Sequence, residues 1–171
     1  MLVTPEILYG YNIMHQKLKE NRSSNLILNE IWNINPIVAI NNSQHLTLKE
    51  KMEQHITDYF ELIEKNTSQK KYFRDSKVSL SDFATKLNIP KSHLAYLFKY
   101  HCKISFSEYK KLIQIQDAIL LIKDGYLKNN TMDSLSKEVG FTSYNPFFTS
   151  FKNIMGVAPL EYINQINSVA I

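Results

Sequence analysis

The side chains that could perform covalent chemistry or bind a metal are few and scattered in this sequence. The five histidines, at positions 15, 45, 55, 93 and 101, form no pair with glutamate or cysteine at the helical spacing of metal sites. The single cysteine, Cys102, has no histidine motif positioned to activate it and cannot form an internal disulfide. Four glycines leave no glycine-rich phosphate-binding loop. We therefore predict no catalytic residue, no metal site, no cofactor and no enzymatic activity.

Charge is distributed unevenly along the chain. Residues 1–76 contain nine basic and nine acidic side chains, whereas residues 77–171 contain eleven lysines and seven acidic side chains. The whole net charge of +4 therefore lies in the C-terminal part. An anionic partner such as nucleic acid accounts for this excess, and so does an ordinary lysine-rich surface.

Signals for membrane insertion or export are absent from the sequence pattern. The longest uninterrupted apolar run is Ala118–Ile122, and a membrane span needs roughly 18 apolar residues. The first ten residues lack the basic and then apolar order of a secretory signal. We expect a cytoplasmic chain.

The N-terminal part has no clear period up to residue 46. Its aliphatic runs between residues 26 and 40 are broken by Asn and Pro, and they fit a dimer surface, a docking site or a local core equally well. A capping box at Thr47–Glu50 then predicts an amphipathic helix over 48–65, followed by a polar connector. We predict that its apolar stripe mediates dimerisation or signal coupling. The stripe consists of Leu48, Met52, Ile56, Tyr59 and Ile63.

Beyond the connector, the pattern is almost wholly helical. Ser79 is typical of a helix start, and Asn88 is typical of a helix end because asparagine tolerates the left-handed conformation. A second short helix follows, and two short helices joined by a few residues form a helix-turn-helix. A second capping box at Ser105–Glu108 predicts a long helix, which Gly125 ends.

The second half of this region repeats the first. Apolar residues recur 52 or 53 positions later, in the pairs Leu80 and Met132, Phe83 and Leu135, Leu94 and Phe147, and Phe98 and Phe151. The sequence therefore predicts an all-α fold, in which two helix-turn-helix subdomains are joined by a linker helix and preceded by an N-terminal extension with one amphipathic helix. The expected domains are an extension of undefined order at 1–46, a helix and connector at 47–76, and a double helix-turn-helix domain at 77–171.

Residues 77–167 resemble the DNA-binding domain of AraC-type (AraC/XylS) transcription regulators. The resemblance is carried by Glu138–Ser143, Phe147, Phe151–Lys152, Gly156–Pro159 and Glu161–Tyr162, and in the first unit by Leu97–Lys99 and Ser105–Tyr109. It implies seven helices in two subdomains, connected by a linker helix at about 106–123. It also implies that the second helix of each unit enters one of two successive major grooves of DNA.

The same resemblance implies which residues contact DNA. In the first unit, the residues that match base-reading positions are Ser92, Ala95 and Tyr96, and those that match phosphate or groove-edge positions are Lys91, His93 and Lys99. In the second unit, the matching base-reading residues are Tyr144, Asn145 and Thr149, with Ser143 and Lys152 near phosphate. Asparagine can pair with adenine, and alanine or threonine can meet a thymine methyl group. An A/T-leaning site is expected.

The domain also departs from the family pattern. Residues 77–171 contain no arginine, Pro146 stands where Tyr or Thr is usual, and Lys103 stands where Gly commonly ends the first recognition helix. Bidentate reading of guanine by arginine is therefore absent, so DNA shape would carry more of the specificity. The alternative function is a protein-interaction adaptor that keeps this fold but has lost specific DNA binding.

A second, shorter resemblance lies at the N-terminus. Thr4–Gly10 is similar to the juxtamembrane stretch of AraC-type regulators that carry a membrane-embedded sensor. On that resemblance, the chain is the cytoplasmic part of a membrane-anchored regulator or a stand-alone relative. The expected partners are double-stranded DNA, RNA polymerase, a second copy of the chain and such a sensor.

Overall fold

The computed structural model describes residues 31–68 and 71–169, and these ranges contain eight α-helices. They are α1 (Ser43–Met52), α2 (Ile56–Ser68), α3 (Leu80–Leu87), α4 (Lys91–Tyr100), α5 (Phe106–Lys123), α6 (Met132–Glu138), α7 (Tyr144–Met155) and α8 (Pro159–Val169). Two short 3₁₀ helices cover Lys71–Arg74 and Tyr126–Lys128. Within the described ranges no β-strand forms, which confirms the predicted all-α fold. The match at Thr4–Gly10 lies outside the described residues.

The described residues group into two units by their contacts. The first unit contains residues 31–68 and 77–109, and the second contains residues 71–76 and 110–169. The boundary lies inside α5, the linker helix, whereas the sequence patterns place boundaries at residues 46 and 76. The difference arises because residues 31–68, here called the N-terminal segment, pack with the first helix-turn-helix.

The prediction of one helix over 48–65 is wrong, because this stretch forms parts of two helices. α1 begins earlier, at Ser43, where the side chain of Asn42 accepts a hydrogen bond of 3.2 Å from the amide of His45. Thr47 does not cap, since its hydroxyl donates to the Ser43 carbonyl within the helix. Asparagine is a stronger N-cap than threonine, and the earlier start adds a turn. The chain then turns at residues 53–55 before α2 begins.

The end signals of the first helix-turn-helix are confirmed. The Ser79 hydroxyl accepts from the Asp82 amide at 3.2 Å, and the Asp82 carboxylate accepts from the Ser79 amide at 2.8 Å. Asn88 ends α3 in the left-handed conformation, with φ 54°. At the start of α5, the Glu108 carboxylate accepts from the Ser105 amide at 2.8 Å. Local side-chain chemistry therefore sets these three helix ends.

The N-terminal segment completes the hydrophobic core of the first unit. The buried ring of Trp32 packs against Phe60, Phe98 and Tyr109, with centroid separations of 5.0, 5.1 and 6.0 Å. Its backbone also forms an isolated antiparallel bridge with Cys102. Trp32 and the aliphatic runs near residues 26–40 were open to the same three roles, and Trp32 fills the local core, whereas Ile34, Ile37 and Val38 of the runs are exposed.

The second unit is held by a short segment that precedes the helix-turn-helix in sequence. The buried amide of Gln114 donates to the carbonyls of Phe73 and Gly140, at 2.8 and 3.1 Å. The Arg74 guanidinium donates to both carboxylate oxygens of Asp117, at 2.7 and 3.1 Å, and also pairs with Glu138. The hydrogen bonds to Asp117, with the negative charges of Asp117 and Glu138, raise the pKa of Arg74. Residues 71–74 are thereby fixed against the second helix-turn-helix.

Replacing Gly140 with alanine should destabilise the second unit strongly. Gly140 has φ +94°, and an added Cβ would lie 2.6 Å from the Arg74 carbonyl oxygen and 2.7 Å from the Gln114 amide nitrogen. We expect Gly140→Ala to lower the free energy of unfolding, measured in urea, by about 3 kcal/mol.

Gly125→Ala is the matched control, because Gly125 also has a positive φ but faces only the flexible side chain of Lys128. It should cost about 1 kcal/mol, the price of the left-handed backbone alone. Equal losses for the two variants would contradict the close approach at Gly140.

Candidate nucleic-acid interface

The second recognition helix, α7, presents a polar stripe to solvent. Phe147 and Phe151 are fully buried on its inner side. Asn145, Thr149 and Lys152 are exposed, and their spacing of four and three residues places them on one face of the helix. These three residues are called the second reading face below. An exposed amide, a hydroxyl with a methyl group and an ammonium are groups that contact base edges and phosphates.

The start of α7 is open as well. Ser143, the N-cap residue, is exposed and its side chain makes no capping hydrogen bond. Pro146 is the third residue of the helix, where the amide nitrogen has no partner within the helix, so proline costs no hydrogen bond there. Tyr144 is half-buried, and its ring lies 5.9 Å from that of Phe148. The backbone amides at this end of α7 can donate to a phosphate oxygen, as at other helix N-termini.

The first recognition helix, α4, is in a different environment. Its predicted contact residues Ser92, Ala95, Tyr96 and Lys99 also fall on one helix face, called the first reading face below. That face and α1 line a common open cavity of about 360 Å³. The α1 side of the cavity is formed by Gln44, His45, Thr47, Leu48 and Lys51. Helix α1 therefore lies beside the first reading face, where Tyr96 is buried, Ala95 is half-buried, and Ser92 and Lys99 are exposed.

Tyr96 is the residue most affected by this arrangement. It is only 2% exposed, and its hydroxyl has no hydrogen-bond partner among the described residues. Its ring packs near Tyr100 and His101, at centroid separations of 4.9 and 5.4 Å. Burial raises the pKa of its hydroxyl. In this arrangement Tyr96 is not accessible to a DNA base, and its contact with DNA stays a prediction.

Two histidine–tyrosine hydrogen bonds tie the N-terminal segment to α4. His45 Nδ1 of α1 lies 2.7 Å from Tyr100 Oη, and Tyr59 Oη of α2 lies 3.0 Å from His93 Nδ1. Burial, with the positive neighbours His55 and Lys51, lowers the pKa of His93. His93 is thus occupied by α2 rather than free at a groove edge. Lys91 and Lys99 are exposed, and the Lys99 ammonium lies 5.1 Å from the ring of Tyr100.

The predicted dimer or signal-coupling stripe turns inward within the first unit. Met52 and Ile63 have no exposed surface and Ile56 is buried, while Leu48 and Tyr59 are half-buried. Their side chains contribute to the unit's own core and to its contact with α4, so in this arrangement they offer no continuous surface to a second copy. A role in signal coupling is compatible with that position and stays a prediction.

The single cysteine, the candidate nucleophile of the chain, is buried. Burial raises the pKa of the Cys102 thiol to about 12, which fits a packing residue rather than a nucleophile. Across residues 31–68 and 71–169, no group of three His, Cys, Asp or Glu residues could hold a metal ion. No helix in these ranges is long and apolar enough to cross a membrane.

Two features of the site were not predicted from the sequence. One is the placement of α1 on α4, although Gln44, Leu48 and Lys51 share one face of α1 and could have indicated a contact there. The other is the anchoring of residues 71–74 by Gln114 and Asp117, which lie in α5. The presence of Gln114 and Asp117 in a long apolar helix could have indicated this anchoring, because polar side chains that are buried there need polar partners.

The fold and the exposed polar stripe define a class, the double helix-turn-helix domain. Residues 83–165 match the family model described as a helix-turn-helix domain. The match confirms the helix-turn-helix domain that the resemblance inferred from the sequence implied over these residues.

Similar proteins include two bacterial regulators. The Msm operon regulatory protein of Streptococcus mutans is 26% identical over 63% of this chain and 41% of that protein. The transcriptional regulatory protein HptR of Staphylococcus aureus is 27% identical over 63% of this chain and 40% of that protein. The chain therefore spans about two-fifths of the length of these relatives.

One solved structure is also similar. The C-terminal domain of AraT, a response regulator from Geobacillus stearothermophilus, is 23% identical with a TM-score of 0.48. The similarity covers 61% of this chain and 84% of that chain.

Acidification should weaken the first unit through His101. Its Nδ1 donates to the Asn33 carbonyl at 2.9 Å, and its buried Nε2 has no hydrogen-bond partner among the described residues, so a proton added there would find no acceptor among them. Burial, with Lys49 as the charged neighbour, lowers the pKa of His101. The unfolded chain therefore gains this proton at a higher pH than the folded chain, so stability is complete above about pH 6.5 and falls below it.

The measurement is the free energy of unfolding between pH 7.5 and pH 5. His101→Gln keeps a donor for the Asn33 carbonyl and does not titrate, so its stability should fall less over this range than that of the wild type. Parallel pH profiles would show that His101 does not carry the effect.

Proposed function

We propose that this chain is a sequence-specific DNA-binding transcription regulator of the AraC type, which inserts α4 and α7 into successive major grooves. The observation that carries the proposal is the second reading face, a polar stripe on a helix whose other side is a fixed aromatic core. A recognition helix needs this combination, because its base-reading side chains must be free while the helix itself is held rigidly.

The types of these side chains indicate what α7 would read. Asn145 can donate to adenine N7 and accept from adenine N6, and the methyl group of Thr149 can pack against that of thymine. Lys152 and the start of α7 at Ser143 would hold phosphates. Because residues 77–171 contain no arginine, guanine lacks its usual bidentate partner. The proposed site is therefore rich in A·T pairs and read in part by its shape.

The proposed biological role follows from the relatives. They are named as an operon regulatory protein and a transcriptional regulatory protein, and we carry that role over to this chain. The partners proposed with it are double-stranded DNA and RNA polymerase, with a second copy of the chain or a membrane-embedded sensor as further candidates. We propose a cytoplasmic, non-enzymatic protein that needs no cofactor.

A protein-interaction adaptor is the second candidate, and one observation favours it. Within the first reading face Tyr96 is buried and Ala95 is half-buried, whereas Ser92 and Lys99 are exposed, so α4 is less open than α7 in this structure. A domain that no longer binds DNA would be free to keep that arrangement permanently. The two functions differ in the effect of substitutions on the second reading face.

Substituting Asn145 should separate the two candidates. In a regulator, Asn145→Ala removes the pairing with adenine and should weaken binding to the cognate site by about 1–3 kcal/mol while relaxing the sequence preference. Binding would be measured by fluorescence anisotropy on a site enriched from a random pool of duplexes. The cognate site should bind at least about 10³-fold tighter than random DNA.

Asn164→Ala is the matched control, because Asn164 is an exposed asparagine of α8, outside the recognition helices. It should bind like the wild type. If Asn145→Ala also binds like the wild type, or if no site is enriched, the adaptor replaces the regulator.

Lys152 should contribute affinity without sequence preference. Lys152→Ala removes one phosphate contact, so binding should weaken by a similar factor on cognate and random duplexes, and the slope of log affinity against log salt should flatten by about 1. Titrations at several salt concentrations measure this slope. Lys152→Arg keeps the charge and should keep the slope, whereas an unchanged slope in Lys152→Ala would rule out the phosphate contact.

A further inference from the structure

We propose that α1 is an autoinhibitory cover on the first helix-turn-helix, which must leave α4 before that unit can read DNA. The inference rests on the proposed function and adds a regulatory step to it. Four residues of the first reading face line the cavity that α1 encloses from the other side. The structure thus represents the covered state of the first unit.

The dimensions of DNA make this covered state incompatible with reading by α4. The major groove is about 12 Å wide, and one α-helix with its side chains is about 10–12 Å across. The groove therefore accepts one helix with its reading face toward the bases. A second helix beside that same face obstructs the approach of the base edges to its buried part, so α1 and DNA compete for Ala95 and Tyr96, while Ser92 and Lys99 stay exposed.

Few contacts attach α1 to α4 among the described residues. His45 is bound to Tyr100 across the interface, and the ring of His45 lies 6.4 Å from that of Tyr96. Yet Met52, at the end of the helix, is the only buried residue of α1. The remaining attachment consists of half-buried and exposed side chains such as Leu48 and Lys51. An element with so little buried apolar surface opens locally without unfolding its unit.

The chain also provides a place for α1 to pivot while its surroundings stay in position. The turn at residues 53–55 separates α1 from α2, and α2 keeps its own buried residue Ile63. On the other side of α1, the segment around Trp32 is fixed by its bridge to Cys102 and by the hydrogen bond from the Lys103 amide to the Ile31 carbonyl, at 2.9 Å. Displacement of α1 alone would uncover Tyr96 and leave the core around Trp32 in place.

The experiment weakens the cover in the full chain without changing its formal charge at neutral pH. His45→Ala/Leu48→Ala removes the hydrogen bond to Tyr100 and part of the cavity wall. We expect this double variant to bind the enriched site roughly tenfold tighter than the wild type, because a larger fraction of the molecules is competent to bind. Its hydroxyl-radical footprint should extend by about one helical turn of DNA, the length read by a second unit.

Leu46→Ala is the matched control, because Leu46 lies on the same helix, is 46% exposed and does not line the cavity. It should bind and footprint like the wild type. If the double variant binds no tighter while Asn145→Ala still weakens binding, the cover is refuted and the proposed function stands. If Asn145→Ala has no effect in any background, the proposed function fails and the cover fails with it.

A measurement on the unmodified protein covers the case in which the double variant does not fold. Hydrogen exchange is followed by mass spectrometry with and without the enriched duplex. Amides of α1 should exchange faster in the DNA complex than in the free protein, while amides of α2 should not change. Equal or slower exchange of α1 in the complex would overturn the proposal, since the cover would then remain in place on DNA.

Discussion

Two short helices cannot enclose a hydrophobic core by themselves, and this constraint shapes both halves of the structure. α3 and α4 have 8 and 10 residues, so a large part of their apolar surface must be covered by chain from elsewhere. The first unit obtains this cover from Trp32 and α2, and the second obtains it from Phe73 and α5. Each helix-turn-helix is therefore stable only together with residues that precede it in sequence.

This dependence makes the two units unequal, although their sequences repeat. The segment that completes the second unit is a single 3₁₀ turn at Lys71–Arg74, which packs on Gln114 and Asp117 and leaves the second reading face exposed. The segment that completes the first unit is much longer. After filling the core with Trp32, it continues as α1 beside the first reading face, next to the buried Tyr96. The packing that stabilises the first unit thus also determines whether its recognition helix is accessible.

Sequence reasoning succeeded where local chemistry decides the structure. Ser79 and Ser105 begin helices because their hydroxyls and a nearby carboxylate satisfy free amides, and Asn88 ends one because it adopts a left-handed backbone. It failed at residues 53–55, which contain neither glycine nor proline and so carry no local signal for a turn. It also could not foresee the burial of Tyr96, because the partner helix α1 lies more than 40 residues away and no period in α4 records it.

The absence of arginine from residues 77–171 makes DNA binding more sensitive to a cover over α4. Without arginine as a bidentate partner of guanine, each recognition helix contributes fewer base-specific hydrogen bonds, and lysine contacts to phosphate add affinity that does not depend on sequence. One open helix, α7, would then bind DNA more weakly and with less discrimination than two helices together. The contacts from α4 add to both, so a cover over α4 lowers the affinity for the cognate site. A helix such as α1, held by one hydrogen bond and one buried methionine, is sufficient to hinder α4. The reason is that the binding free energy that α4 adds is itself modest.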